Sequence, residues 1–351
     1  MIPVVDLKRR LARHEPAYLE AVSRVLRSGT LLLGPELAAF EAEAAAALGD
    51  EVLVGVSSGA AAIQLALEAL GIGTGDEVIV PAFTAVPTAS AVAATGAVPV
   101  PVDVDADTAT IDPRRAGEAI TGRTKAIIPV HLYGRPVDLD PLSEFGVPVV
   151  EDAAQAHGAT GSNTGSVATA YSFYPTKNLG GIGDGGAVGT NDPDLADTIR
   201  RRRTHGMTEQ YVHVDVSQNF RMSELEAAWL RLQLVELDTA TRRRRAIARH
   251  YREMAPQLRW QTDHPDHVFH LCVVRVSDRS AARAQLEDAG VSTAIHYPLA
   301  ITQQPAYSGL DGPPCPEAER WAAECLSVPC FPALTDVEVD AVGRALARLA
   351  P

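Results

Sequence analysis

Lysine is nearly absent from this sequence. Of its 31 basic side chains only Lys8, Lys125 and Lys177 are lysines, and arginine supplies positive charge everywhere else. Cysteine is scarce too: Cys272, Cys315, Cys325 and Cys330 all fall in the last third of the 351 residues. With neither a C-x-x-C spacing nor paired histidines nearby, they exclude a structural zinc site and a disulfide framework, and no metal is expected. Long apolar runs are missing, which excludes a bilayer-spanning helix. The first ten residues, Met1 to Arg10, lack an apolar segment followed by a small-residue cleavage site, so a reducing cytoplasm is the expected location. Positive charge is in deficit, with 31 basic against 44 acidic residues and a net charge of −13. That balance argues against a general binder of nucleic-acid backbones. Two basic runs, Arg200 to Arg203 and Arg242 to Arg245, lie in Ala-, Leu- and Glu-rich helical patterns, where solvated faces and partner contacts are expected.

Hydrophobic residues make up 46% of the chain, enough to bury a sizeable core. Short Val/Ile-rich runs alternate with helical patterns: Val52 to Val56, Glu77 to Pro81, Val98 to Val104, Ala126 to Val130, Val147 to Glu151 and Ala170 to Phe173 read as strands. Between them, Glu36 to Leu48 and Ala60 to Leu70 read as helices. Continuous apolar strands separated by helices predict a mostly parallel sheet covered on both faces, with ligands beyond the carboxyl ends of its strands. From about Ser223 the character changes to long amphipathic helices, Glu224 to Leu237 and Arg242 to Met254. Strand-like segments at Val268 to Val276 and Val291 to His296 follow, with helices at Ala281 to Ala289, Trp321 to Cys325 and Val337 to Leu349. The expected organisation is a large domain over 1–244 and a smaller C-terminal α/β domain over 245–351.

Chemistry gathers at the strand ends. Lys177 stands in Ser172-Phe-Tyr-Pro-Thr-Lys177-Asn-Leu-Gly-Gly-Ile-Gly-Asp-Gly-Gly186. An amine can form a Schiff base with a carbonyl and a guanidinium cannot, so a lysine kept in a glycine-rich loop points to covalent catalysis. Asp152 closes an apolar strand, where a carboxylate needs a positive partner such as a pyridinium nitrogen. Ser58-Gly59-Ala60 opens a helix whose free N–H groups suit a phosphate, and Ser172 adds a hydroxyl. Taken singly, Asp152 also suits a helix N-cap, and Ser58-Gly59 an ordinary strand-to-helix turn. Phosphate cradle, buried acid and lysine together are what pyridoxal 5'-phosphate requires.

The sequence also resembles the DegT/DnrJ/StrS aminotransferases over nearly its whole length. The matching blocks occur in order: Gly71-Ile-Gly-Thr-Gly-Asp-Glu-Val-Ile-Val-Pro-Ala-Phe-Thr84, Pro129-Val-His-Leu-Tyr-Gly134, Val150-Glu-Asp-Ala-Ala-Gln-Ala-His157, Ser172 to Lys177, Asn219-Phe-Arg-Met-Ser-Glu224 and Ile295-His-Tyr-Pro298. The resemblance implies the fold-type I aminotransferase architecture and pyridoxal phosphate as cofactor. It implies that Lys177 carries the cofactor as a Schiff base, that Asp152 pairs with the pyridine nitrogen, and that Gln155 approaches the ring oxygen. Ser58, Gly59, Ala60 and Ser172 would hold the phosphate. Asn219 would reach the phosphate bound by a neighbouring subunit, making a homodimer with shared active sites, and His296 and Tyr297 would lie on the substrate side. The implied reaction moves an amino group from glutamate or glutamine to a nucleotide-linked keto sugar, in amino-sugar biosynthesis. Cyclitol ketone aminotransferases and a catalytically silent cofactor-binding regulator are the alternatives. Two departures stand out. Ala85 occupies the position where the family usually stacks an aromatic on the pyridine ring, leaving Phe83 or polar contacts to hold it, and the connection from Gly158 to Ala170 is short.

Overall fold

The computed structural model describes residues 1–159, 165–310 and 312–350. Part of the short connection after Gly158, residues 160–164, lies outside the described residues.

The strands, in chain order, are β1 (Val52–Val56), β2 (Glu77–Pro81), β3 (Val98–Val102), β4 (Thr124–Ile127), β5 (Val150–Asp152), β6 (Ala168–Ser172) and β7 (Gly186–Thr190). They are followed by β8 (Met207–Glu209), β9 (Val212–His213), β10 (Arg259–Trp260), β11 (Cys272–Arg275) and β12 (Cys325–Val328). Two ladders, β1-β7-β6-β5 and β3-β2-β4, are joined by parallel bridges between Ile127 and Val149 and between Val130 and Asp152. The resulting order is β1-β7-β6-β5-β4-β2-β3, parallel except for β7, which runs antiparallel to both its neighbours. The expected mostly parallel α/β sheet is therefore present. Every residue of β2 is buried, as continuous apolar runs with helices on both faces require.

Helix Gly59–Ala69 packs across this sheet, contributing Ala62, Leu65 and Ala66 to a core that includes Val54, Val80 and Val188. Its start is fixed by Ser58, whose Oγ accepts from the N–H of Ala61 at 3.1 Å. A second apolar cluster, drawn from residues 247 to 349, surrounds the antiparallel sheet β10-β11-β12 and helices Leu237–Met254 and Asp336–Leu346.

The sequence reading missed β7, whose two glycines interrupt its β pattern, and the N-terminal helix Leu7–Ser28, which carries Pro16 inside it. The strand expected over Val291 to His296 is reduced to single bridges, Val291 to Ile2 and Ala294 to Ser327. The basic runs serve the fold. Arg200, Arg201, Arg202 and Arg203 all pair with acids of this chain, and Arg243 pairs with Asp336 at 2.7 Å. Among the described residues no helix is long and apolar enough to cross a membrane, and no cluster of His, Cys, Asp and Glu is placed to hold a metal ion. All four cysteines are free and buried.

Candidate active site

A cavity of about 510 Å³ opens at the carboxyl ends of the parallel strands. Its walls bring together eight of the residues singled out from sequence: Ser58, Gly59, Ala60, Asp152, Gln155, Ser172, Lys177 and Tyr297. All but Tyr297 come from the carboxyl ends of β1, β5 and β6 and the segments that follow them, so side chains more than a hundred residues apart converge because parallel strands end on one edge.

At one end lies the start of helix Gly59–Ala69. The first N–H groups of a helix have no intrahelical acceptor, and Ser58 satisfies that of Ala61, leaving those of Gly59 and Ala60 to face an anion. Ser172 comes so close to this turn that a Cβ on residue 59 would stand 2.6 Å from its Cβ and 3.1 Å from its Oγ. Only glycine admits that approach, and the cradle suits a phosphate.

Asp152 is buried at the end of β5. Its Oδ2 accepts from Thr88 Oγ1 at 2.8 Å and its Oδ1 from the N–H of Ala154 at 3.1 Å, so the carboxylate is held in one orientation at the cavity wall. Thr84 Oγ1 lies 3.3 Å from Thr88 Oγ1 and extends the chain of hydroxyls. On the opposite face of β5, Glu151 receives the Nε2–H of His131 at 2.7 Å, while His131 Nδ1 accepts from the N–H of Val137 at 3.0 Å. Successive strand residues alternate between faces, so one acid serves the cavity and its neighbour ties two loops beneath it. Gln155 accepts from the N–H of Tyr133 at 2.8 Å through Oε1 and donates Nε2 to Tyr297 Oη at 3.3 Å, which aims its amide across the site.

Lys177 lines the same cavity as the cradle and the acid. Burial lowers its amine to about 8, opposed by the attraction of Asp152. About a tenth of the amine is thus neutral and nucleophilic at pH 7, far more than for an ordinary lysine. Its loop is clamped from the N-terminal helix: Arg10 donates to the carbonyls of Pro175, of Lys177 at 3.0 Å and of Gly180 at 3.3 Å. Beneath it, burial and then the charge of Lys177 hold His157 down to about 3, so that imidazole stays neutral. Glu226 props the glycine-rich stretch from below, its Oε2 accepting from the N–H of Gly183 at 3.0 Å.

Three further residues named from the sequence lie outside this lining. His296 does not line this cavity but an adjoining one that shares Lys177, Tyr174 and Tyr297, and its Nδ1 lies 2.8 Å from Ser327 Oγ. Asn219 stands outside the cavity of its own chain, exposed, with Oδ1 accepting from Arg221. Phe83 is fully buried against Trp321 and Tyr133 and is absent from the lining, so it does not replace the missing aromatic; Ala85 itself forms that part of the wall. Sequence reading missed Thr88, Tyr174 and Asp184, all of which line the cavity. A usable signal existed for Thr88: Pro87 marks the first turn of helix Val86–Ala94, which puts Thr88 in the same turn.

A phosphate cradle, an oriented buried acid and a lysine with a depressed basicity on one edge of a mostly parallel sheet match the donor set of pyridoxal phosphate, and they define a pyridoxal-phosphate-dependent α/β enzyme. The model of the DegT/DnrJ/EryC1/StrS aminotransferase family matches residues 13–347. The chain belongs to this family. It is 46% identical over 349 residues to a dTDP-3-amino-3,4,6-trideoxy-alpha-D-glucose transaminase of Streptomyces venezuelae, covering 95% of this chain and 92% of the relative. It is equally 46% identical, over 356 residues and 97% of both chains, to the erythromycin biosynthesis sensory transduction protein EryC1 of Saccharopolyspora erythraea. The crystal structure of S. venezuelae DesV in complex with a ketimine intermediate superposes with a TM-score of 0.93 at 44% identity, over 100% of this chain and 99% of that one.

Proposed function

We propose that this aminotransferase moves an amino group from glutamate or glutamine to a keto sugar carried on a nucleotide. The observation that carries the proposal is the convergence of Lys177, Asp152 and the 58–60 turn on one cavity, in a chain 46% identical to a transaminase named for a dTDP-linked amino sugar. When bound, pyridoxal phosphate supplies an aldehyde that condenses with amines and a pyridine ring that takes up the electron pair left at the substrate carbon. Asp152, oriented by Thr88 and Ala154, would meet the ring nitrogen and favour its protonated form. Gly59, Ala60, Ser58 and Ser172 anchor the phosphate. Lys177 Nζ would tether the cofactor and is placed to hold or move the proton at the reacting carbon. Gln155 and Tyr297 close the side towards the keto substrate, with His296 beyond them. Asn219, exposed on its own chain, is free to complete the phosphate site of a second copy, which is the homodimer we propose. The residues of the second apolar cluster form the separate C-terminal domain of this reading, 245–351.

The test is the visible absorbance of the cofactor-loaded protein before and after an amino donor, beside Lys177→Ala. A band that fades with glutamate or glutamine and is missing from Lys177→Ala supports the proposal, and a panel of keto sugars and cyclitol ketones then separates substrate classes. A second reading is a cofactor-binding regulator, favoured by the sensory-transduction name of one relative and by Ala85. A band indifferent to donors and keto sugars alike supports that reading instead.

A further inference from the structure

The cavity that His296 lines, about 240 Å³, borders Lys177 and includes none of the residues of the phosphate cradle. Among the described residues, none of those lining it is acidic. Two of them are buried polar side chains with unused hydrogen-bonding groups. Arg244 is 5% exposed, and its Nη1 donates to the carbonyls of Phe269 at 3.2 Å, His270 at 3.4 Å and Cys330, yet its Nε is buried with no partner. Among the described residues no carboxylate lies within ion-pairing distance of it, although the chain pairs most of its arginines that way. His270 is 8% exposed and its Nδ1 is buried without a partner. Burial, then Lys177 and Arg244, holds His270 well below its ordinary value, so it is a neutral imidazole beside a fixed cation. A buried guanidinium without a counter-ion is costly unless an anion completes it.

We infer that Arg244 and His270 form the binding site for the α-carboxylate of the amino donor. An α-amino acid carries its carboxylate one carbon away from the amine, and that amine must react where Lys177 Nζ stands; an anion site bordering Lys177 is therefore where the carboxylate belongs. The planar guanidinium suits a carboxylate, and the cavity is less than half the size of the first, room for an amino acid rather than a nucleotide sugar. This inference deepens the transaminase reading and rests on it.

The experiment is calorimetric titration of the cofactor-loaded protein with glutarate, a dicarboxylate that has no amine and cannot turn over. Inorganic phosphate and a nucleotide diphosphate are titrated beside it. Loading fills the cofactor's own phosphate cradle, so that site does not contribute. Wild type should bind glutarate, Arg244→Gln should weaken it roughly 10- to 100-fold, and Arg244→Lys should recover part of the loss. His270→Gln should weaken it by about 3- to 10-fold, and it carries the test if Arg244→Gln fails to fold. No binding by wild type, or binding indifferent to a folded variant at either position, overturns the inference. Displacement of glutarate by the nucleotide diphosphate at lower concentration than by any carboxylate assigns the anion to the sugar carrier and also overturns it. Because glutarate binding needs no turnover, it stands or falls apart from amino-group exchange, whose absence would refute the transaminase reading alone.

Discussion

Glu226 is an acid placed where its charge is unwelcome. It is 4% exposed beneath the glycine-rich stretch after Lys177, with one oxygen accepting from the N–H of Gly183 and the other, Oε1, buried without a partner. Burial raises it from 4.5 to about 7, opposed by the N–H groups of Gly183 and Ile182. The folded protein therefore binds this proton more tightly than the unfolded chain does. Its contribution to stability is fully present below pH 4.5 and is lost as pH rises through about 7. At about 1.4 kcal/mol per pH unit, the interval from 4.5 to about 7 corresponds to about 3 kcal/mol. Glu226→Gln keeps an oxygen for Gly183 and cannot ionise. Denaturant unfolding of both proteins, with the cofactor at one concentration, should show the variant gaining about 3 kcal/mol on wild type between about pH 4.5 and about pH 8. Other titrating groups cancel in the difference. A gap between the two proteins that does not change with pH would refute the account, whatever its absolute size. The same loop makes a steric statement: a Cβ on Gly181 would stand 1.6 Å from Glu226 Oε1, so acid and glycine are packed as a unit.

Other outcomes follow from the site. Covalent capture of pyridoxal phosphate needs the neutral amine of Lys177, so its rate, followed by absorbance, should climb about tenfold per pH unit up to about 8 and then level; a rate independent of pH would contradict the depressed basicity. Gly59→Ala drives a Cβ to 2.6 Å from Ser172, and cofactor retention in equilibrium dialysis should fall by about tenfold or more, with no loss counting against the cradle. Thr88→Val removes the hydroxyl that Asp152 accepts from, which should cost about 1 to 3 kcal/mol of stability and lower kcat while leaving the donor KM in place. Unchanged kcat and stability would show that Ala154 alone orients the acid.

The site residues legible in the sequence were those within short segments at strand ends. Ser58-Gly59-Ala60, Asp152 with Gln155, and Ser172 with Lys177 each combine a local pattern with a chemical role, and parallel strands bring such segments to one edge. What stayed hidden came from afar or from geometry. Arg10 grips the carbonyls of the Lys177 loop from 167 residues away, a contact no local pattern announces. Glu226 looked like one more acid on an amphipathic helix. The expectation of solvated faces and partner contacts for Arg242 to Arg245 fits the exposed Arg242 and misses Arg244, because at about 100° per residue four consecutive side chains point almost all the way round and cannot share a face. Arg242 pairs with Asp238, Arg243 with Asp336, Arg245 donates to the carbonyl of His267, and Arg244 turns into the core.

That inward turn bears on how an acidic protein handles anionic reactants. The chain carries a net charge of −13, which by itself repels carboxylates and phosphates. Yet Lys177 and Arg244 line the cavity of about 240 Å³, and Arg10 lines a further one of about 130 Å³ beside it, with Thr176 and Arg244 common to the linings of these two. Arg10 is itself lowered to about 10 by burial and by the nearby charge of Arg244, so these cations are held together against their mutual repulsion. The carbonyls of Pro175, Lys177 and Gly180 keep Arg10 in place, and those of Phe269, His270 and Cys330 keep Arg244, without neutralising either guanidinium. Carbonyl dipoles fix a cation and leave its charge available, whereas a carboxylate would cancel it. Fields act most strongly over short distances in a low-dielectric cleft, so a reactant that has entered feels these few buried cations more than the screened acids outside.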